Sequence, residues 1–357
     1  MKQVAWLPIL ALVVNSVTAD DAIYHGNEKS CSTWGRGHVR TLDDELYSFM
    51  SNCRLLLASN CRADFEDTSV FVERNSSGHL IEIDVKLLPT TVKINNFGVF
   101  IDGVSVGLPY SNPAFGIKKH GFATRLRAKL SGITVIWGED FATILIGNKY
   151  KNTMCGLCGN FNGVKDLPLN NTIEMERHLN LYEESHNCSL KSVPSPDCSV
   201  VSTATAKLEL QSSTIIMNQQ ANCLALGMAQ YASLTTWDAC ACETMGSECF
   251  CATISEAIRH CALLNGRPKN WRMPDICGVT CPGNMEYKEC GSPCLRTCGN
   301  PIGELVCEEP CMVGCFCPED TLLRHDGQCV AIPQCSCSHN NQIYAAGEQR
   351  NDGVQHW

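Results

Sequence analysis

The residues whose types and spacing could do chemistry cluster in one stretch: Cys155 and Cys158 in the motif CGLC, then Asn160, Asn162 and Asp166. A Cys-x-x-Cys pair with a lowered thiol pKa exchanges disulfides. The same spacing serves as a staple when each thiol is bonded elsewhere. Exchange sites of the thioredoxin type sit at a helix start within a βαβ unit, whereas this motif follows a strand pattern, so the staple is the favoured reading. Zinc is disfavoured here and at the four Cys-x-Cys pairs, because His at ligand spacing is missing and such sites are more typical of reducing compartments. The oxygens of Asn160, Asn162 and Asp166 lie on a glycine-broken loop, a hard-ligand set that suits Ca²⁺. The competing reading is a polar turn capped by Asn. His178 and His186 flank Glu183 and Glu184, which could raise their pKa and make them pH sensors; the favoured reading is of ordinary surface histidines beside acids. Ser, His and Asp are all present, but no nucleophile elbow or paired-carboxylate motif places them together, so no enzyme is expected.

The elements that must position these residues are mainly β. In Leu80 to Leu87, Ile81, Ile83, Val85 and Leu87 alternate with Glu82, Asp84 and Lys86; in Phe122 to Leu130, Phe122, Leu126 and Leu130 oppose Arg125, Arg127 and Lys129. Period two predicts one buried and one wet face. Apolar stretches at 98–106, 133–137 and 143–146, broken by Asp102-Gly103 and Gly138, extend the count to an antiparallel β-sandwich of about 150 residues. The Ser- and Pro-rich segment 189–197 reads as a linker. Beyond it the period changes to three and four around 207–231 and 253–264, as in Ile254, Ala257, Ile258 and Cys261, predicting short helices pinned by cysteines. From Cys281 onward cysteines stand among Pro and Gly with almost no period, and bridges must set the shape.

Composition fixes the compartment. Residues 1–19 carry one Lys, an apolar core and small residues ending at Ala19, the pattern of a cleaved secretory signal peptide. All 25 cysteines follow it, a density expected only where thiols are oxidised. Sequons at Asn75, Asn170 and Asn187 agree. A net charge of -9 with no basic run excludes the footprint of a nucleic-acid or anionic-membrane binder, and there is no other candidate membrane span.

Three stretches carry a resemblance. CSTWG at 31–35, followed by TLDDELYSF and Cys53, is similar to the opening of a von Willebrand factor type D domain, and CGLCGNFNG at 155–163 resembles that domain's most recognisable motif. The block through CAC at 240–242, CFC at 249–251, Cys261 and Cys277 resembles the eight-cysteine module that follows such domains. CPGNMEYKECGSPCLRTC through GCFCPED to Cys335 is similar to a trypsin-inhibitor-like cysteine-rich module. Their order, with YHG before CSTWG and NGRPKNWR before Cys277, most resembles the first D assembly of intestinal and airway gel-forming mucins.

The resemblance implies a D domain over 31–188, an eight-cysteine module over 198–277 and an inhibitor-like module over 278–335, with 336–357 as the truncated start of a further module. The cysteines then count six (31, 53, 61, 155, 158, 188), eight (198, 223, 240, 242, 249, 251, 261, 277) and ten (281, 290, 294, 298, 307, 311, 315, 317, 329, 335), leaving Cys337 as a possible free thiol. It implies that Cys155 and Cys158 reach back to Cys61 and Cys31. It also implies a calcium site that adds Asp43 and a backbone carbonyl near Val164 to Asn160, Asn162 and Asp166. Relatives carry two adjacent acids after this loop; here Lys165 stands beside Asp166, which would weaken the site. Two further cysteines common in the eight-cysteine module would fall near Gln211 and Thr236 and are absent.

The function so implied is that of a secreted, non-enzymatic module of extracellular mucus or matrix. It would pack, with calcium, against copies of itself or other D assemblies and support disulfide-linked multimers. The alternatives are a free-standing binding protein or protease inhibitor and, less favoured, a thiol oxidoreductase through CGLC. No Pro-, Thr- and Ser-rich tract occurs in the 357 residues, so the chain is not expected to form a gel by itself.

Overall fold

A computed structural model describes residues 28–62, 68–138, 140–184, 188–192, 204–236, 238, 250–303, 311–324, 326–339, 342–344 and 347–348. The signal peptide, Asn187, His186, the bulk of the linker, Cys198, Cys240, Cys242, Cys249, Cys307 and the last residues lie outside these.

Two antiparallel sheets enclose the first core. One has nine strands in the spatial order Tyr110–Ser111, Phe115–His120, Ala123–Ala128, Thr134–Gly138, Phe141–Gly147, Glu28–Trp34, His38–Arg40, Leu46–Ser51 and Leu190–Ser192. The other has seven, in the order Met154–Cys155, Arg54–Asn60, Ser69–Arg74, Leu80–Leu87, Thr90–Asn95, Gly98–Ile101 and Val104–Val106. Val39, Phe49, Leu57, Val72, Ile83, Val92, Ile117, Leu126, Val135 and Ile144 interdigitate between them. The turn Asp102-Gly103 is left-handed at both residues, φ 48° and 82°, as a tight hairpin requires. The segment read as a linker begins as a strand, Leu190 pairing with Ser51.

Alternation gave the strands but not every face. Ile83 and Val85 are buried, yet Ile81 is exposed and Leu80 buried in its place, because the pairing with Ser69–Arg74 slips between Glu73 and Arg74. Phe122 and Leu130 fall in turns beyond the strand Ala123–Ala128 and are exposed. Arg125, assigned to a wet face, is buried. The outer face of the nine-stranded sheet is not wet at its centre, for Trp34, Ile136, Phe141 and Leu145 lie there with Ala123 and form a second core with the helical module.

Among its described residues that module contains helices Ala204–Gln219, Ala221–Ala225 and Cys251–Leu263 and a 3₁₀ turn Met228–Tyr231, which residues 232–236 continue as helix. Helix Cys251–Leu263 is buried on nearly all sides, Thr253 through Ile258 without exception. Its polar residues meet the sheet: the Trp34 indole N–H donates to Thr253 Oγ1 at 2.9 Å, Ser32 Oγ donates to Glu256 Oε1, and Thr253 Oγ1 and His38 Nε2 meet Asp238 at 2.5 and 2.8 Å. The third module pairs Glu286–Gly291 with Met312–Phe316 and Thr321–Leu323 with Cys329–Ala331. It lies against the sandwich where backbones touch: a Cβ on Gly121 would stand 2.7 Å from the Val313 carbonyl oxygen.

Described bridges remain inside modules: Cys31–Cys158, Cys53–Cys188 and Cys61–Cys155 in the sandwich, Cys223–Cys261 and Cys251–Cys277 in the helices, and Cys281–Cys315, Cys290–Cys311, Cys298–Cys335 and Cys317–Cys329 in the last. Among the described residues, the modules are therefore joined by packing and hydrogen bonds rather than by covalent links.

His260, on the buried helix, shares a hydrogen bond between Nδ1 and the Tyr231 hydroxyl at 3.1 Å. Burial, reinforced by the charges of Arg40 and Lys29, pushes its imidazole down to about 2. In the unfolded chain it protonates near 6.5, so unfolding takes up a proton at any pH between these values. Stability is full above 6.5 and falls by about 1.4 kcal/mol per pH unit as acid is added below it. Urea unfolding from pH 6.5 to 4 should show a shallower pH slope for His260→Gln than for the parent; equal slopes would contradict the assignment.

Candidate functional site: a double staple and an acidic loop

Cys155 ends the short strand Met154–Cys155, paired with Arg54–Asn60 so that Cys155 faces Ser59. The chain then continues along that strand: Leu157 and Cys158 N–H donate to the Leu56 and Leu57 carbonyls at 3.0 and 2.9 Å. Gly156 is required for this approach, because its φ is 113° and a Cβ would lie 2.6 Å from the Leu57 oxygen. On the other side the Cys158 carbonyl accepts from Leu42 N–H at 3.0 Å, and the Leu157 carbonyl from the Tyr47 hydroxyl at 2.7 Å. The two thiols are committed to different partners, Cys158 to Cys31 on the strand Glu28–Trp34 and Cys155 to Cys61 just past Arg54–Asn60. A bond between Cys155 and Cys158, which exchange chemistry needs, is absent. Cys31 and Cys158 are both fully buried.

The acidic loop follows directly. Asp43 Oδ1 accepts from Gly163 N–H at 2.7 Å, drawing the TLDDELY segment onto it. Asp166 Oδ2 accepts from the side-chain amides of Asn160 at 3.2 Å and Asn162 at 3.0 Å, while the two amide oxygens take the N–H groups of Asn162 and Val164 at 3.2 and 2.7 Å. Asp43, Asn160, Asn162, Val164 and Asp166 are thus brought together. Sequence reasoning missed Glu45, a buried carboxylate that accepts from Leu167 N–H at 3.3 Å. Burial pushes its pKa up, with Asp166 and Asp43 adding to the rise. The middle acid of the run, Asp44, turns away at φ 60° to Lys29 and Arg40.

Residue chemistry fits a hard divalent cation. Two carboxylates of the TLDDELY segment, Asp43 and Glu45, stand beside the loop that carries Asp166 and two amide oxygens, and among the described residues Asp43, Glu45 and Asp166 form no ion pair with Lys or Arg. The one group of three carboxylate, imidazole or thiol ligands within 4.8 Å of one another among the described residues is Cys53, Glu183 and Cys188, and its cysteines are bridged.

The remaining candidates are placed as follows. His178 is half-buried, edge-on to Tyr182 at 5.2 Å, and burial lowers its pKa, against the rise expected from Glu183 and Glu184. Glu184 instead pairs with Arg54 and with Lys86 at 3.0 Å. Asn75 caps a hairpin turn, its Oδ1 accepting from Ser77 and His79 N–H at 3.0 Å each. Asn170 is exposed, one residue before Asn171, which caps the helix Thr172–Asn180. The Cys337 backbone lies in the strand Cys337–His339, but its side chain falls outside the described residues.

Comparison with known proteins defines the class. Residues 31–166 match the von Willebrand factor type D domain, 213–278 the C8 domain and 281–335 the trypsin inhibitor like cysteine rich domain. The chain therefore carries these three domains in this order. It is 33% identical over 336 residues to Mucin-5AC of Homo sapiens, 32% over 334 residues to human Mucin-6 and 30% over 342 residues to human Mucin-2. These alignments cover 90%, 89% and 91% of this chain, but only 6%, 13% and 6% of those relatives. Among the described residues, no helix is long and apolar enough to cross a membrane.

Bridges that close loops of 127 and 94 residues restrict the unfolded chain strongly and contribute about 2 to 5 kcal/mol each. Cys158→Ser should therefore be retained in the cell, and its denatured, unreduced form should label with a thiol reagent at Cys31; Cys155→Ser should label at Cys61. Normal secretion of both variants without new labelling would contradict the staple.

Proposed function

We propose that this chain is a secreted, non-enzymatic assembly module of a mucin-like glycoprotein, holding calcium in its acidic loop and supporting multimers by contact with other D assemblies. The observation that carries this reading is the double commitment of CGLC. With Cys155 and Cys158 each bonded to a distant strand, the motif has no dithiol with which to run an exchange cycle, and its effect is to fix shape. Similarity to mucins over nine-tenths of the chain supports the extracellular setting. So does the cysteine count, which only an oxidising compartment accommodates.

In this reading Asp43, Glu45 and Asp166 supply the anionic oxygens and Asn160, Asn162 and the Val164 carbonyl the neutral ones. Calcium would offset the carboxylates gathered here and tie the TLDDELY segment to the stapled motif. The protein's part is to hold the loop open to solvent on one side while Cys158 and Leu42 anchor it on the other.

Millimolar Ca²⁺ should raise the melting temperature relative to chelator, with a linkage gain of about 2.7 kcal/mol when the ion is a hundredfold above its Kd. Asp166→Ala should remove the gain, and identical curves in calcium and chelator would leave a polar turn. Sedimentation should show concentration-dependent association in calcium that chelator reverses; a monomer under every condition would contradict the assembly role.

A further inference from the structure

At one end of the sandwich the two sheets part and leave a groove of about 490 Å³. It reaches the core, for Trp137, only 4% exposed, and Val99, 3% exposed, both line it. At its rim stand two aromatic rings. Phe97 is 91% exposed at the tip of the hairpin between Thr90–Asn95 and Gly98–Ile101, and Phe122, 42% exposed, stacks on Tyr287 of the third module. The tip is fixed rather than loose: Phe97 N–H donates to Asn95 Oδ1 at 2.9 Å, and the Asn95 amide donates to Glu82 at 3.1 Å.

The polar lining is equally specific. Lys119, Thr124 and Asn96 line the groove, and among the described residues none of their side chains is engaged in a hydrogen bond or ion pair. Among the described residues, Lys119 is the only charged one lining it. A lipid tail or an apolar side chain placed there would leave these donors facing hydrocarbon, which costs free energy. An acidic ligand gains an ion pair with the ammonium that a neutral ligand does not. What fits is a small ring with an apolar face, several hydroxyls and one negative charge.

We propose that this groove binds an acidic saccharide, a terminal sugar bearing a carboxylate or a sulfate. The apolar ring face lies on Phe97, the acid group meets Lys119, and hydroxyls bond to Asn96 and Thr124. This rests on the geometry of the sandwich and holds whether or not the acidic loop takes calcium.

The test is saturation-transfer NMR on the full chain with sialyllactose, sulfolactose and neutral lactose. Binding of either acidic sugar, well above lactose, is the expected result, and the two acids tell carboxylate from sulfate recognition. Lys119→Ala should weaken binding at least tenfold, since a hydrogen bond to a charged group commonly carries that much, and Phe97→Ala should weaken it severalfold through the lost ring contact. Lys119→Arg should retain most of it. Both side chains are exposed, so melting temperatures should match the parent and rule out misfolding as the cause. Equal signals for lactose and the acidic sugars, no signal at millimolar sugar, or unchanged binding in both Ala variants would each overturn the proposal.

Discussion

The four residues from Cys155 to Cys158 are pulled in two directions, and much of the sandwich follows from that. One bridge runs to Cys61, past the strand Arg54–Asn60 of the seven-stranded sheet, and the other to Cys31 in the nine-stranded sheet. Between them the backbone pairs with Leu56 and Leu57 on one side and Leu42 on the other. The motif is thus a covalent and hydrogen-bonded tie between the layers. It delivers the loop from Asn160 to Asp166 next to Asp43 and Glu45, so the acidic cluster is a consequence of the staple.

A second constraint acts on the opposite face. A sandwich strand exposes alternate residues, and Trp34 and Phe141 on the outer face would leave a large apolar patch in water. The helix Cys251–Leu263 covers it, and burial of that helix forces its polar residues to find partners on the sheet. Ser32 with Glu256 and Trp34 with Thr253 answer that demand, and Asp238, outside the helix, bridges Thr253 to His38. Among the described residues no bridge crosses this interface, and packing and hydrogen bonds hold the sandwich and the helical module together there.

The sequence made the local periods legible and left the long-range consequences hidden. Period two found the strands around Ile83 and Leu126, and period three to four found the helix carrying Ile254 and Ile258, because those signals need only neighbouring residues. Arg125 reads as solvent-facing because nothing near it in sequence reveals that the outer face of its sheet is covered. Ile81 was assigned to the core because a one-residue slip in pairing is invisible in the strand itself. At the site, Cys155, Cys158, Asn160, Asn162 and Asp166 were legible from spacing, and Asp43 from resemblance. Glu45 was not, since three acids in a row give no sign of which turns inward until Asp44 is seen in a left-handed conformation. The groove beside Trp137 was beyond reach for the same reason, for its walls come from different sheets.

The central claim is that CGLC is a staple between layers and not a redox pair. Peptide mapping of the unreduced protein by mass spectrometry tests it most directly. The account predicts two cross-linked products, one joining the peptides of Cys31 and Cys158 and one joining those of Cys61 and Cys155, seen cleanly when a cleavage separates Cys155 from Cys158. A single peptide holding an internal bond between Cys155 and Cys158, with Cys31 and Cys61 free or paired elsewhere, would contradict it.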